Sequence, residues 1–114
     1  MRVTTDLWVS ALVRRVFSSG GFAAIAKRGA TEAGAVFVIV RDRMGGAALF
    51  GPAPQTSYDT AKPDERYFIR YQLEDEAALD ARLEKEKRFD FDIWVVEIEP
   101  GQGKVEEFIS VAES

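Results

Sequence analysis

The sequence predicts one α+β domain, a mixed and mostly antiparallel sheet of five or six strands with two helices packed on it. Three observations lead there. Two segments repeat apolar residues at helical spacing, while at least four short runs are continuously apolar or alternate with period two. The early runs are joined by turns too short for a helical crossover, which favours antiparallel neighbours. A chain of 114 residues builds one core and is too short for two, so residues 1–114 form a single compact domain.

The first helix spans residues 6–18. Thr5 or Thr4 supplies a capping oxygen, and Asp6 suits the positive end of the helix dipole. Trp8, Val9, Leu12, Val13, Val16 and Phe17 share one half of the helical wheel, with Ser10, Arg14, Arg15 and Ser18 opposite. Gly20-Gly21 ends it, because glycine takes a left-handed cap without steric cost.

Phe22 to Lys27 is a short strand, followed by a turn at Arg28 to Thr31. Gly34 to Val40 is apolar on both faces and therefore a central strand. Arg41 to Gly46 turns it into Ala47 to Phe50 as a hairpin. Pro52 to Glu65, with three prolines, is a long loop in which Tyr58 offers a recognition surface.

Arg66 to Leu73 alternates as a half-buried strand, with Tyr67, Ile69, Tyr71 and Leu73 on one face. Asp75 to Arg88 is a surface helix with a narrow stripe of Ala78, Leu79 and Leu83, and Glu84 is spaced to pair with Lys87 and Arg88. Ile93 to Ile98 is a strand closed by Pro100-Gly101, and Lys104 to Val111 adds a short edge strand. Parallel pairing of the Arg66 strand with the Ile93 strand, crossed by the second helix, would make a right-handed βαβ unit.

Composition narrows the chemistry. Without cysteine there are no disulfides, thiolate metal sites or thiol nucleophiles. Without histidine there is no imidazole base or ligand and no triad built on one. No cofactor motif is present: the Gly-Gly pairs lack the spacing of phosphate loops. No apolar run approaches the roughly 20 residues of a membrane span, and Asp6 with Arg14-Arg15 breaks any signal pattern, so a cytoplasmic location without membrane contact is expected.

The net charge of −4 hides an asymmetry. Residues 1–45 carry seven Lys/Arg against three Asp/Glu, and residues 74–114 carry five against thirteen. Overall acidity disfavours nucleic acid. The two regions can neutralise each other within the fold or across a dimer.

The block Arg88-Phe89-Asp90-Phe91-Asp92-Ile93-Trp94-Val95-Val96-Glu97-Ile98-Glu99, with Val9 to Arg15 and Gly34-Ala35-Val36, resembles a bacterial family catalogued as domain of unknown function 1491. The resemblance covers nearly the whole chain and implies a compact α/β domain with no assigned activity or catalytic residue. The family pattern at the corner is Arg-Phe-Asp-Pro-Asp, then an aliphatic residue and Trp. Phe91 replaces that proline, which is expected to loosen the corner, and Ala30 stands where an acid would offer a ligand.

The same block holds the candidate binding residues Asp90, Asp92, Trp94, Glu97 and Glu99, joined by Arg14 and Arg15 from the first helix. Asp90 and Asp92 could converge on a hard cation; the structural alternative is that Asp90 forms an Asx turn and pairs with Arg88 or Arg14. Glu97 and Glu99 could join them as an acid/base cluster, or neutralise Arg66 and Arg70 across strands. Trp94 faces the core with Val96 and Ile98. Arg14-Arg15 could clamp an anion or simply form a solvated helix face.

The expected function is a non-catalytic binding or assembly module, a homodimer using charge complementarity between its basic N-terminal helix and acidic C-terminal region or the binder of another protein, with no metal and no cofactor. The alternative is a small metal- or anion-dependent enzyme using Asp90, Asp92, Glu97 and Glu99. A third reading is nucleotide or nucleic-acid binding through Tyr67, Tyr71 and the arginines of their strand.

Overall fold

The computed structural model describes residues 3–54 and 66–112. Thr4 caps the first helix, its hydroxyl accepting from the Leu7 N–H at 3.3 Å, and α1 runs Thr5–Ser18. Val9, Leu12 and Val16 are fully buried along it. Gly20, at φ +91°, turns the chain out, and the Gly21 N–H closes the end onto the Val16 carbonyl at 2.9 Å.

Strands β1 (Phe22–Lys27), β2 (Val36–Arg41), β3 (Ala47–Pro52) and β4 (Tyr67–Arg70) follow. Helix α2 (Glu76–Phe89) starts from Asp75, whose carboxylate accepts from the Ala78 N–H at 2.8 Å. β5 (Trp94–Glu99), a 3-10 turn (Val105–Glu107) and the two-residue β6 (Ser110–Val111) are the last elements among the described residues. Among the described residues no helix is long and apolar enough to cross a membrane. The Pro52 to Glu65 loop, with Tyr58, lies largely outside the described residues.

The six strands form one sheet in the order β1-β5-β2-β3-β4-β6. Alternate side chains of β2 and β5 feed two cores. On one face, Val36, Val38, Trp94, Val96 and Ile98 meet α1, with Phe108 and Ile109 closing the layer. On the other, Phe37, Ile39, Ile93 and Val95 meet Leu79 and Leu83 of α2. The result is a three-layer arrangement with one helix per face.

Two expectations are corrected. The sheet is mixed and not mostly antiparallel: β1/β5, β2/β3 and β3/β4 are antiparallel, whereas β2/β5 and β4/β6 are parallel. Nor does β4 lie beside β5, because β2 and β3 separate them. The physical reason lies in burial. β5 carries Trp94, Val95, Val96 and Ile98, all nearly inaccessible, so it gains most from a central position. The connection through α2 is long enough to carry it past two strands.

Candidate functional site

The turn from α2 into β5 displays five consecutive exposed residues, Arg88, Phe89, Asp90, Phe91 and Asp92. The sequence explains why the helix stops here. Its apolar stripe ends at Leu83, and Asp90 leaves the helix in extended conformation while its N–H still reaches the Glu86 carbonyl at 2.9 Å. The Asp90 carboxylate then accepts from the Asp92 N–H at 2.9 Å, the Asx turn anticipated from sequence. No ion pair of Asp90 with Arg88 or Arg14 occurs among the described residues.

The corner is tied to the turn after β1. Lys27 donates its ammonium to the Phe91 carbonyl at 2.7 Å and to that of Ile93 at 3.1 Å, and lies 4.9 Å from the Phe91 ring centre. The Ala30 N–H donates to the Asp92 carbonyl at 3.0 Å, and the Trp94 indole N–H donates to the Ala30 carbonyl at 2.8 Å. A Cβ on Gly29 would collide with the Asp92 carbonyl oxygen, so glycine there is a condition of the close approach. These contacts tie the corner to the turn after β1. Ala30 takes part through its backbone, not as a ligand.

Trp94 is therefore a buried support for the corner, its ring covered on one side by Arg28 at 5.0 Å. Arg28 also pairs with Asp6 at 2.8 Å. Phe89 and Phe91 face solvent, at 90% and 81% exposure. Beside Phe89, Lys85 and Glu86 border a hollow of about 240 Å³.

The four acids do not converge. Asp92 precedes β5 and Glu97 lies five residues on, a separation of about 16 Å at strand rise. Among the described residues no group of three acids is placed to hold a metal ion. Glu97 pairs with Arg41 of β2, not with Arg66 or Arg70, since β4 is three strands away from β5. Arg41 also reaches Glu76 at 3.1 Å, joining the basic first region to the acidic last one within the monomer. The Glu97 hydrogen bond raises the Arg41 pKa against the opposing effect of burial, with Glu76 adding to it.

Glu99 is exposed at the far end of β5. Arg14 and Arg15 sit on the outer side of α1, where Arg15 donates to the Phe108 carbonyl at 2.7 Å and pins the C-terminal segment. Arg66 is half-buried, and burial lowers its pKa; it donates to Thr5 Oγ1 at 2.5 Å and to the Gly34 carbonyl at 3.3 Å. The Tyr71 ring is covered by Arg82 at 4.3 Å, which occupies a face that a stacked base would need.

Sequence reasoning located this block but missed its two phenylalanines and the roles of Lys27 and Gly29. A signal for Phe89 was present: it ends α2 six residues beyond Leu83, the last buried position of the stripe.

The chain matches the family described as "Protein of unknown function (DUF1491)" over residues 3–107. No curated protein matches. Among solved structures, the chain is similar to the solution structure of a protein from A. tumefaciens, at 43% identity and TM-score 0.82, covering 100% of this chain and 98% of that one. It is also similar to a DUF1491 family protein from Caulobacter crescentus CB15. Its crystal structure gives 40% identity and TM-score 0.77 over 96% of this chain and 98% of that one. Its NMR structure gives 41% and 0.77 over 100% and 99%.

Proposed function

We propose that this chain, which belongs to the DUF1491 family of unknown function, is an assembly module that pairs with a second copy of itself through the corner between α2 and β5. The observation that carries this reading is the exposure of Phe89 and Phe91, at 90% and 81%, on backbone tied down by Lys27, Ala30 and Asp90. Fully burying a phenylalanine is worth about 1.5–3 kcal/mol. Folding leaves that free energy unused at two positions flanking Asp90, and docking recovers it.

A second copy suits the patch because a two-fold interface must be complementary to itself. Here the exposed Phe91 is two residues along the chain from Phe89, which borders a hollow, and the exposed cation Arg88 is four residues from the exposed anion Asp92. Apolar centre and charged rim are the usual anatomy of a protein contact. Arg14 and Arg15, on the opposite side of the sheet from α2, have no part in it. The rings cover less than the roughly 1,200 Å² of a stable complex, so the pairing depends on concentration.

Light scattering over a concentration series tests the reading. The wild type should gain mass with concentration, Arg88→Asp and Asp92→Arg should each weaken the gain, and the two together should restore it. A mass fixed at the monomer value for the wild type would remove the basis of the proposal.

A further inference from the structure

A cleft of about 430 Å³ opens at the end of β5 remote from the corner. It lies where the carboxyl ends of the parallel strands β2 and β5 meet the start of β1. Open α/β sheets receive ligands outside the carboxyl ends of their strands. The volume falls within the range of small-molecule sites, roughly 300–1,000 Å³.

Four charged side chains line this cleft, and two are already engaged. Arg41 is held by Glu97 and Glu76. Asp42 accepts the N–H groups of Met44 and Gly46, each at 2.8 Å, and so closes the β2-β3 hairpin. The other two, Arg43 and Glu99, are exposed and have no ion-pair partner among the described residues. They carry opposite charges into one concavity.

Between them the lining is apolar or bare backbone. Phe22 is the cross-strand partner of Glu99 and is 51% exposed, and Val105 contributes a second apolar surface. Gly20, Gly21, Gly101 and Gly103 add no side chains, which keeps the space open. At Gly21 this is enforced: a Cβ would collide with the Glu99 carbonyl oxygen.

We infer that this cleft binds a small zwitterion with an apolar body, the chemistry of a free hydrophobic or aromatic amino acid. Arg43 takes the carboxylate through its forked guanidinium. Glu99 takes the ammonium, and Phe22 with Val105 covers the apolar body. The site is independent of the corner, since Asp92 and Glu99 are about 23 Å apart along β5 at strand rise.

Two-dimensional amide NMR of the full chain tests this with L-phenylalanine as probe, beside its two halves, 3-phenylpropanoate and phenethylamine. The glycine amides of the cleft should shift saturably with L-phenylalanine, while those of residues 89–92 stay in place. Each half should bind about tenfold or more weakly, the cost of losing one charge-assisted contact. Arg43→Ala should weaken L-phenylalanine by a similar factor, and Glu99→Gln should abolish its advantage over 3-phenylpropanoate, both variants keeping the folded spectrum. No saturable shift at the cleft glycines, equal binding of the halves and the amino acid, or unchanged affinity in both variants would each overturn the inference.

Discussion

Thr5 is the residue on which most local structure converges. It is completely buried, its hydroxyl donates to the Gly34 carbonyl at 3.2 Å, and it accepts from the Gly34 N–H at 3.0 Å and from Arg66 at 2.5 Å. Thr5→Val keeps the shape and removes every one of these contacts. It should therefore cost about 1–3 kcal/mol in urea denaturation, the penalty for buried polar groups left unpaired. From sequence, Thr4 and Thr5 were interchangeable as caps, because both offer the same oxygen at the right place. What separates them is contact with Gly34 and Arg66, and no local pattern encodes that. Asp90 is the opposite case: its Asx turn is a local interaction and was legible.

Tyr71 carries a pH dependence. Burial raises its pKa above the ordinary 10.0, Arg82 opposes the shift and Glu86 reinforces it. Since the folded value exceeds the unfolded one, the stability linked to this proton is complete below pH 10.0 and falls away as pH rises through the folded value. Tyr71→Phe should lose stability less steeply than the wild type above that pH. Parallel alkaline denaturation curves for the two proteins would contradict the assignment.

Among the elements, α2 shows how far periodicity reaches. Its narrow stripe identified Leu79 and Leu83, and both are buried against the sheet. Its charges gave the Glu84 to Lys87 pair, seen at 3.1 Å on the surface. The two kinds of contact differ in weight. Leu83→Ala should destabilise by about 2–5 kcal/mol through lost burial and a residual cavity, whereas Lys87→Ala should change stability by less than about 0.5 kcal/mol. Thermal or urea denaturation that reversed this ranking would mean α2 is not held by its stripe. β5 was legible as a strand, with Trp94, Val96 and Ile98 on one core face. Its neighbours were not, because alternation tells which face a residue points to and nothing about which strand lies alongside.

At the scale of the whole molecule, that gap accounts for the errors of topology. Turn lengths correctly paired β2 with β3, since a short hairpin leaves one choice. The α2 crossover left several, and β5 entered between β1 and β2 instead of beside β4. The misplacement carried Glu97 and Glu99 with it, toward Arg66 and Arg70 and away from Arg41. The charge split was legible, and Arg41 now closes part of it within one chain. The sheet protects its edges unequally: β6 is only two residues long, and β1 carries a bulge between Ile25 and Lys27. Both devices discourage edge-to-edge pairing, which is consistent with the assembly proposed through the aromatic corner.

Sedimentation equilibrium of the wild type beside a Phe89→Ser/Phe91→Ser variant puts that claim to the most direct test. Over about 10 μM to 1 mM, the span in which so small an interface associates, the wild type should move from monomer toward dimer while the variant, equally folded, stays monomeric. A wild type that remains monomeric throughout, or a variant that dimerises as well as the wild type, would contradict the account.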